Sequence, residues 1–176
     1  MEPVRFDKEV GRREAVAIDR LVSIRTLQEA YKTQNRRFLS TTDSLIDFYK
    51  NGQITIVRQI GSMDDSLAVA QGRVSRDSIK IMVKDTLLKN RVEPIDSISF
   101  IPFSGGERIQ MHSVIKKVSG IQIPLFEALV PYDALLKGLD RQLVVNLKAE
   151  KEDMNQYTGL KVGDIENPNN NAGNWE

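Results

Sequence analysis

Three features of the sequence predict an α+β fold: one unbroken amphipathic segment at the N-terminus, a change of apolar period from helical to alternating at Gln53, and strands that follow one another instead of alternating with helices. The sheet is expected to be mostly antiparallel, to carry two short helices and to wrap one face of the long one. The expected organisation is a single domain, 1–176, with a helical stalk and packing helix over 5–35 and a β-rich head over 36–176.

The amphipathic segment runs from Phe6 to Asn35. Val10, Ala17, Leu21, Ile24 and Tyr31 fall on one stripe, widened by Ile18 and Leu27, while Lys8, Glu9, Arg12, Arg13, Asp19 and Arg20 take the opposite face. About 30 helical residues rise roughly 45 Å, more than the width of a domain this size, so one end is expected to project. Large apolar residues are sparse before Glu14 and dense from Ala15 to Tyr31. Arg5 to Glu14 is therefore expected to add little to folding and to serve as a stalk.

Ser40-Thr-Thr-Asp43 supplies a hydroxyl N-cap for a short helix, Asp43 to Lys50, which Asn51-Gly52 is expected to end in the left-handed conformation. Alternation then predicts a strand from Gln53 to Ile60, a polar loop from Ser62 to Asp77 anchored by Leu67, Val69 and Val74, and a strand over Ile79 to Val83. The runs Ile98–Phe103 and Arg108–Ile115 flank Ser104-Gly-Gly-Glu107 and read as a hairpin. Ile121 to Val130 is a further strand. Pro131 to Gly138 reads as a short helix, and Leu143, Val145 and Leu147 as a last strand. The tail is rich in Asn and Gly, yet Trp175 at its end predicts that it folds back. Leu21, Ile24, Leu27, Tyr31, Phe48, Phe100, Phe126 and Leu143 are expected to be buried together.

Composition narrows the function classes. With 40% hydrophobic and 28% charged residues, the chain has the make-up of an ordinary soluble globular domain. A net charge of +1 offers no electrostatic argument for nucleic acid. Cysteine is absent, which removes disulfides, thiolate metal sites and cysteine nucleophiles together. No apolar run reaches the ~20 residues that span a bilayer.

The run Arg20 to Lys32, with Asn35-Arg-Arg-Phe38 and Asp43-Ser-Leu-Ile-Asp-Phe48, resembles the exposed half of the long helix and the following turn in type IV pilins and type II secretion pseudopilins. That likeness covers about the first 50 residues. Over nearly its whole length the chain is similar to an uncharacterised family of membrane-anchored proteins from gut-type Gram-negative bacteria, a family that brings no assigned activity. The residues that carry this are Val130-Pro-Tyr-Asp-Ala-Leu-Leu-Lys-Gly-Leu-Asp-Arg-Gln-Leu143, Gly159-Leu-Lys-Val-Gly163 and Asn169-Asn-Asn-Ala-Gly-Asn-Trp-Glu176. The resemblance implies a membrane-spanning segment ahead of Met1 that this sequence does not hold, together with the pilin leader and the acidic residue after its cleavage site. It also implies an extracytoplasmic place in the cell envelope, and a pilin-like arrangement of helix and sheet.

Candidate chemistry is thin. The single histidine, His112, lies mid-strand, where structural or solvated histidines predominate over catalytic ones. Asp64-Asp65 and the group Glu150, Glu152, Asp153 read as solvated acids. Ser104-Gly-Gly-Glu107 lacks the Lys-Ser/Thr and the helix that a phosphate loop needs. Asp164, Glu166, Asn167, Asn169 and Asn171 carry oxygens of the kind calcium accepts, in an order unlike an EF-hand; the pseudopilin likeness implies calcium in such a C-terminal loop. Asp164, Glu166, Asn169 and Asn171 are the metal candidates, and no catalytic or cofactor-binding residues are assigned.

Two functional classes follow. The first is the extracytoplasmic head of a membrane-anchored structural or protein-interaction module, with protein partners or self-association. The alternative is a soluble, cytoplasmic small-ligand-binding domain or enzyme with a pocket between sheet and short helices.

Overall fold

The structure is a computed structural model and describes residues 2–60 and 75–176. Most of the predicted loop, including Leu67, Val69, Val74 and the Asp64-Asp65 pair, lies outside the described residues. The α+β class is observed: a long N-terminal helix, short helices and two antiparallel sheets.

Helix α1 spans Pro3–Asn35, with Pro3 in the first turn where a missing N–H costs no internal hydrogen bond. Its 33 residues rise roughly 50 Å. Ala17, Leu21, Ile24 and Leu27 are fully buried on its inner face. The stripe does not stop there. Phe6 and Val10 are only 4% and 7% exposed and join the cluster that holds Tyr132, Leu135 and Leu136. The expectation of a solvated stalk over Arg5 to Glu14 is thus corrected: few apolar residues suffice because they lie on the same face as the rest. Arg13 adds a polar tie, its guanidinium donating to the carbonyls of Leu135 (3.0 Å) and Lys137 (2.8 Å).

The chain leaves α1 through Arg36 at positive φ. Gln28, fully buried in α1, locks the return segment: its amide nitrogen donates to the Leu39 carbonyl (2.7 Å) and its oxygen accepts from the Leu39 N–H (2.8 Å). Helix α2, Thr42–Asn51, is N-capped by Thr41, whose hydroxyl accepts from the Ser44 N–H at 3.1 Å. Gly52 ends it in extended, not left-handed, backbone. Glycine is required there for space, since a Cβ would lie 2.4 Å from the Phe48 carbonyl and 2.6 Å from its ring.

Strands β1, Gln53–Ile60, and β2, Ser75–Met82, form a two-stranded antiparallel ribbon with Ile54 opposite Ile81 and Ile56 opposite Ile79. The strand thus begins at Ser75, inside the predicted loop. The segment that follows is clamped to α1 by ions. Arg20 pairs with Glu93 through two hydrogen bonds (3.2 and 2.8 Å), and the Arg91 side chain, 6% exposed, reaches Asp19, Ser23 and Ser97.

The predicted strand over Ile98–Phe103 is corrected. Ile95–Ser99 is a 3-10 helix entered from Pro94, and the two arms around Ser104-Gly-Gly-Glu107 meet only near the Phe100–Arg108 bridge. Pro102 has no N–H to continue a ladder. Phe100 is correspondingly 40% exposed, outside the core.

The main sheet has the order β3-β4-β5, all antiparallel: β3 Gln110–Val118, β4 Ile121–Pro131 and β5 Gly159–Gly163. Ser119 and Gly120, both at positive φ, make the tight β3–β4 turn. Phe126, Ala128 and Val130 of β4 with Leu160 and Val162 of β5 supply the sheet side of the core, against α1. Tyr31 and Leu143 are half-buried at its margin, Tyr31 edge-on to Phe48 at 5.3 Å.

After β4 comes α3, Tyr132–Leu135, followed by Gly138 at positive φ. The predicted strand at Leu143, Val145 and Leu147 is instead part of helix α4, Arg141–Asp153. Asp140 N-caps it by accepting from the Leu143 N–H (3.2 Å), and Leu143, Val144 and Leu147 face the core at helical spacing while Val145 is 49% exposed. Among the described residues no helix is long and apolar enough to cross a membrane.

Candidate functional site: a cleft beneath the C-terminal tail

The tail turns at Asn170 and Asn171, both at positive φ, and lies along the free edge of β5. The Gly163 N–H donates to Ala172 and the Asn174 N–H to Lys161, each at 2.9 Å. The Asn174 side chain extends the ladder, accepting from the Lys161 N–H (3.1 Å) and donating to the Gly159 carbonyl (2.9 Å). Glu176 then reaches Arg25 of α1, and Trp175 is carried inward onto the core margin. Gly173 is the indole's bed: a Cβ there would lie 2.5 Å from ring atoms of Trp175.

Beneath this tail lies a cleft of about 340 Å³. Glu14 of α1, Tyr132 of α3, Lys151, Gln156 and Tyr157 at the end of α4, Lys161 of β5, and Asp164 and Trp175 of the tail region all line it. The Tyr132 hydroxyl donates to Glu14 (3.1 Å), and burial, then the Glu14 charge, pushes its phenol well above the ordinary range. Burial also raises Tyr157, helped by the Glu127 charge. Burial alone would raise the Asp164 carboxyl, but the N–H groups of Asn167 and Glu166 and the Lys161 ammonium outweigh it and hold it low. Asp164 is thus an ionised structural acceptor, without a proton to give as a general acid.

The metal candidates take partners within the chain or face solvent. Asp164 Oδ1 accepts from the N–H groups of Glu166 (2.7 Å) and Asn167 (2.9 Å), and Oδ2 from Lys161 (3.1 Å). The Glu166 side chain is exposed, the Asn169 amide turns to the Ala172 carbonyl, and Asn171 turns to Glu29. Among the described residues no group of three or more His, Asp or Glu is placed to hold a metal. His112 is exposed opposite Glu127 in the β3–β4 ladder, and Glu150, Glu152 and Asp153 are exposed on α4. In Ser104-Gly-Gly-Glu107 the serine hydroxyl closes its own turn, donating to Ile101 and accepting from the Glu107 N–H.

Of the cleft residues, Trp175 carried a signal in the sequence as the lone tryptophan in a polar tail, and Asp164 and Asn169 as oxygen donors, though for a metal and not for a cleft. Glu14, Tyr132 and the group Lys151, Gln156 and Tyr157 are brought together from three separate segments. Comparison of the chain with protein-family models, curated proteins and solved structures found no match.

Proposed function

We propose that this chain is the head of a membrane-anchored protein on the extracytoplasmic face of a bacterial envelope, and that it acts by binding, through protein partners or self-association, and not by catalysis. The observation that carries the reading is how α1 begins. Glu2 to Arg5 are exposed while the buried stripe starts at Phe6, so a preceding segment would join the chain without disturbing any buried contact, entering α1 through the extended Glu2 and through Pro3 and not as one continuous helix. Binding is further supported by the chemistry of the polar groups: His112 is solvated and Asp164 is held by its own loop.

The gene upstream of Met1, expressed in full and followed with an antibody to the head, tests this. Expected are an apolar run of ~20 residues ahead of Val4, recovery in the membrane fraction, and digestion by protease added to spheroplasts. A product in the soluble cytoplasmic fraction overturns the proposal. The alternative, small-ligand binding by the head itself, is favoured by the cleft under the tail.

A further inference from the structure

We infer that the cleft beneath the tail binds a neutral saccharide of one or two rings, free or at the end of a longer glycan. The inference concerns the head alone and does not depend on an anchor. Its first support is what the lining leaves unused. Among the described residues, the side chains of Lys151, Gln156, Tyr157 and Trp175 make no hydrogen bond within the chain, although all four line the cleft. Glu14 retains an oxygen beyond the one that Tyr132 engages. Ammonium, amide, phenol and indole donors thus stand with an amide and a carboxylate acceptor around one opening. A ligand whose every polar group both donates and accepts satisfies such a mixed set, and a sugar hydroxyl does both.

The second support is charge. Glu14 and Asp164 offset Lys151 and Lys161, so the formal charge of the lining cancels. An ionic ligand would bury its charge without net compensation, whereas a neutral polyol has no such cost. The third is the aromatic pair. Trp175 and Tyr157 give the opening apolar ring surface with polar rims, suited to the C–H face of a pyranose. Gly173 fixes the indole and the Arg25–Glu176 pair fixes the tail that carries it, so the lining is formed before a ligand arrives. The volume lies at the lower end for small-molecule sites, which sets the ligand at one or two rings.

Trp175 is the one tryptophan of the sequence, so its emission reports on the cleft directly. The whole chain is titrated with cellobiose, maltose and N,N′-diacetylchitobiose, with glucuronic acid and glucosamine as charged controls, and separately pelleted with cellulose, amylose and chitin. A saturable change of emission with at least one disaccharide is expected, and Tyr157→Ala should weaken it about ten-fold by removing one stacking ring. Gln156→Ala, at an exposed position that folding does not use, should weaken it as well. Pelleting without response to free disaccharides also upholds the site and assigns a polymer end as its ligand. No response in either arm, a response confined to glucuronic acid or glucosamine, or a response unchanged in both variants overturns the inference. The membrane experiment is separate, so failure here leaves the anchor proposal standing.

Discussion

Glu176 grips Arg25 through two hydrogen bonds of 2.7 and 3.2 Å, tying the last residue of the chain to a helix 151 positions earlier. One carboxylate oxygen also accepts from the Gly173 N–H at 2.7 Å, so the same group closes the tail on itself and onto α1.

That grip should be acid-labile. The Arg25 hydrogen bonds, then the Gly173 N–H, bring the Glu176 carboxyl down to about 2 from an ordinary 4.5. A folded-state value below the unfolded one contributes stability that is complete above about 4.5 and is lost as pH falls towards 2. Trp175 emission should therefore shift to the red across that window at moderate salt. In Glu176→Gln the shifted emission should already be present at neutral pH.

Ile24 is fully buried at the centre of the α1 stripe. Ile24→Ala should cost roughly 2–5 kcal/mol in urea unfolding, with little change of slope. A loss inside measurement error would show that α1 does not pack on the sheet.

Phe6 gives the corresponding test at the start of the helix. If the first turns belong to the head, Phe6→Ala should cost roughly 3 kcal/mol, whereas a solvated stalk would lose a few tenths. Thermal melting of the two proteins side by side separates these outcomes.

Replacing Gln28 by Leu keeps its approximate volume but orphans the N–H and C=O of Leu39. Each orphaned group should cost about 1–3 kcal/mol. A stability equal to that of the parent would show that water replaces the amide.

Millimolar calcium should leave the melting temperature unchanged, because both Asp164 oxygens already serve the loop and Lys161. A rise with added calcium, reversed by chelation, would show that the loop reopens around the cation.

The long helix and the antiparallel strands were legible because their periods are sustained over many residues. The segment at Leu143, Val145 and Leu147 was not, since five residues fit either period; Asp140 as N-cap tips it to a helix. Ile98 to Phe103 alternates like a strand, but Pro94 starts a 3-10 helix that runs into it and Pro102 removes a ladder N–H. Gln28 and Arg91 are polar residues in buried places, and their partners lie in segments that only the folded chain brings near. The cleft was illegible for the same reason, apart from Trp175, Asp164 and Asn169.

The dependence of α1 on the end of the chain bears on synthesis. Its inner face is shared between α2 and the 3-10 helix at Ile95–Ser99, made soon after it, and β4, β5 and the tail, made later. Until β4 and β5 emerge, the part of the Phe6–Leu27 stripe that they cover has no native partner, which makes the nascent helix a substrate for chaperones and for wrong pairings with other chains. The tail can close on α1 only after Glu176 clears the exit tunnel, so a stall before that point would leave Arg25 unpaired and the edge of β5 uncovered.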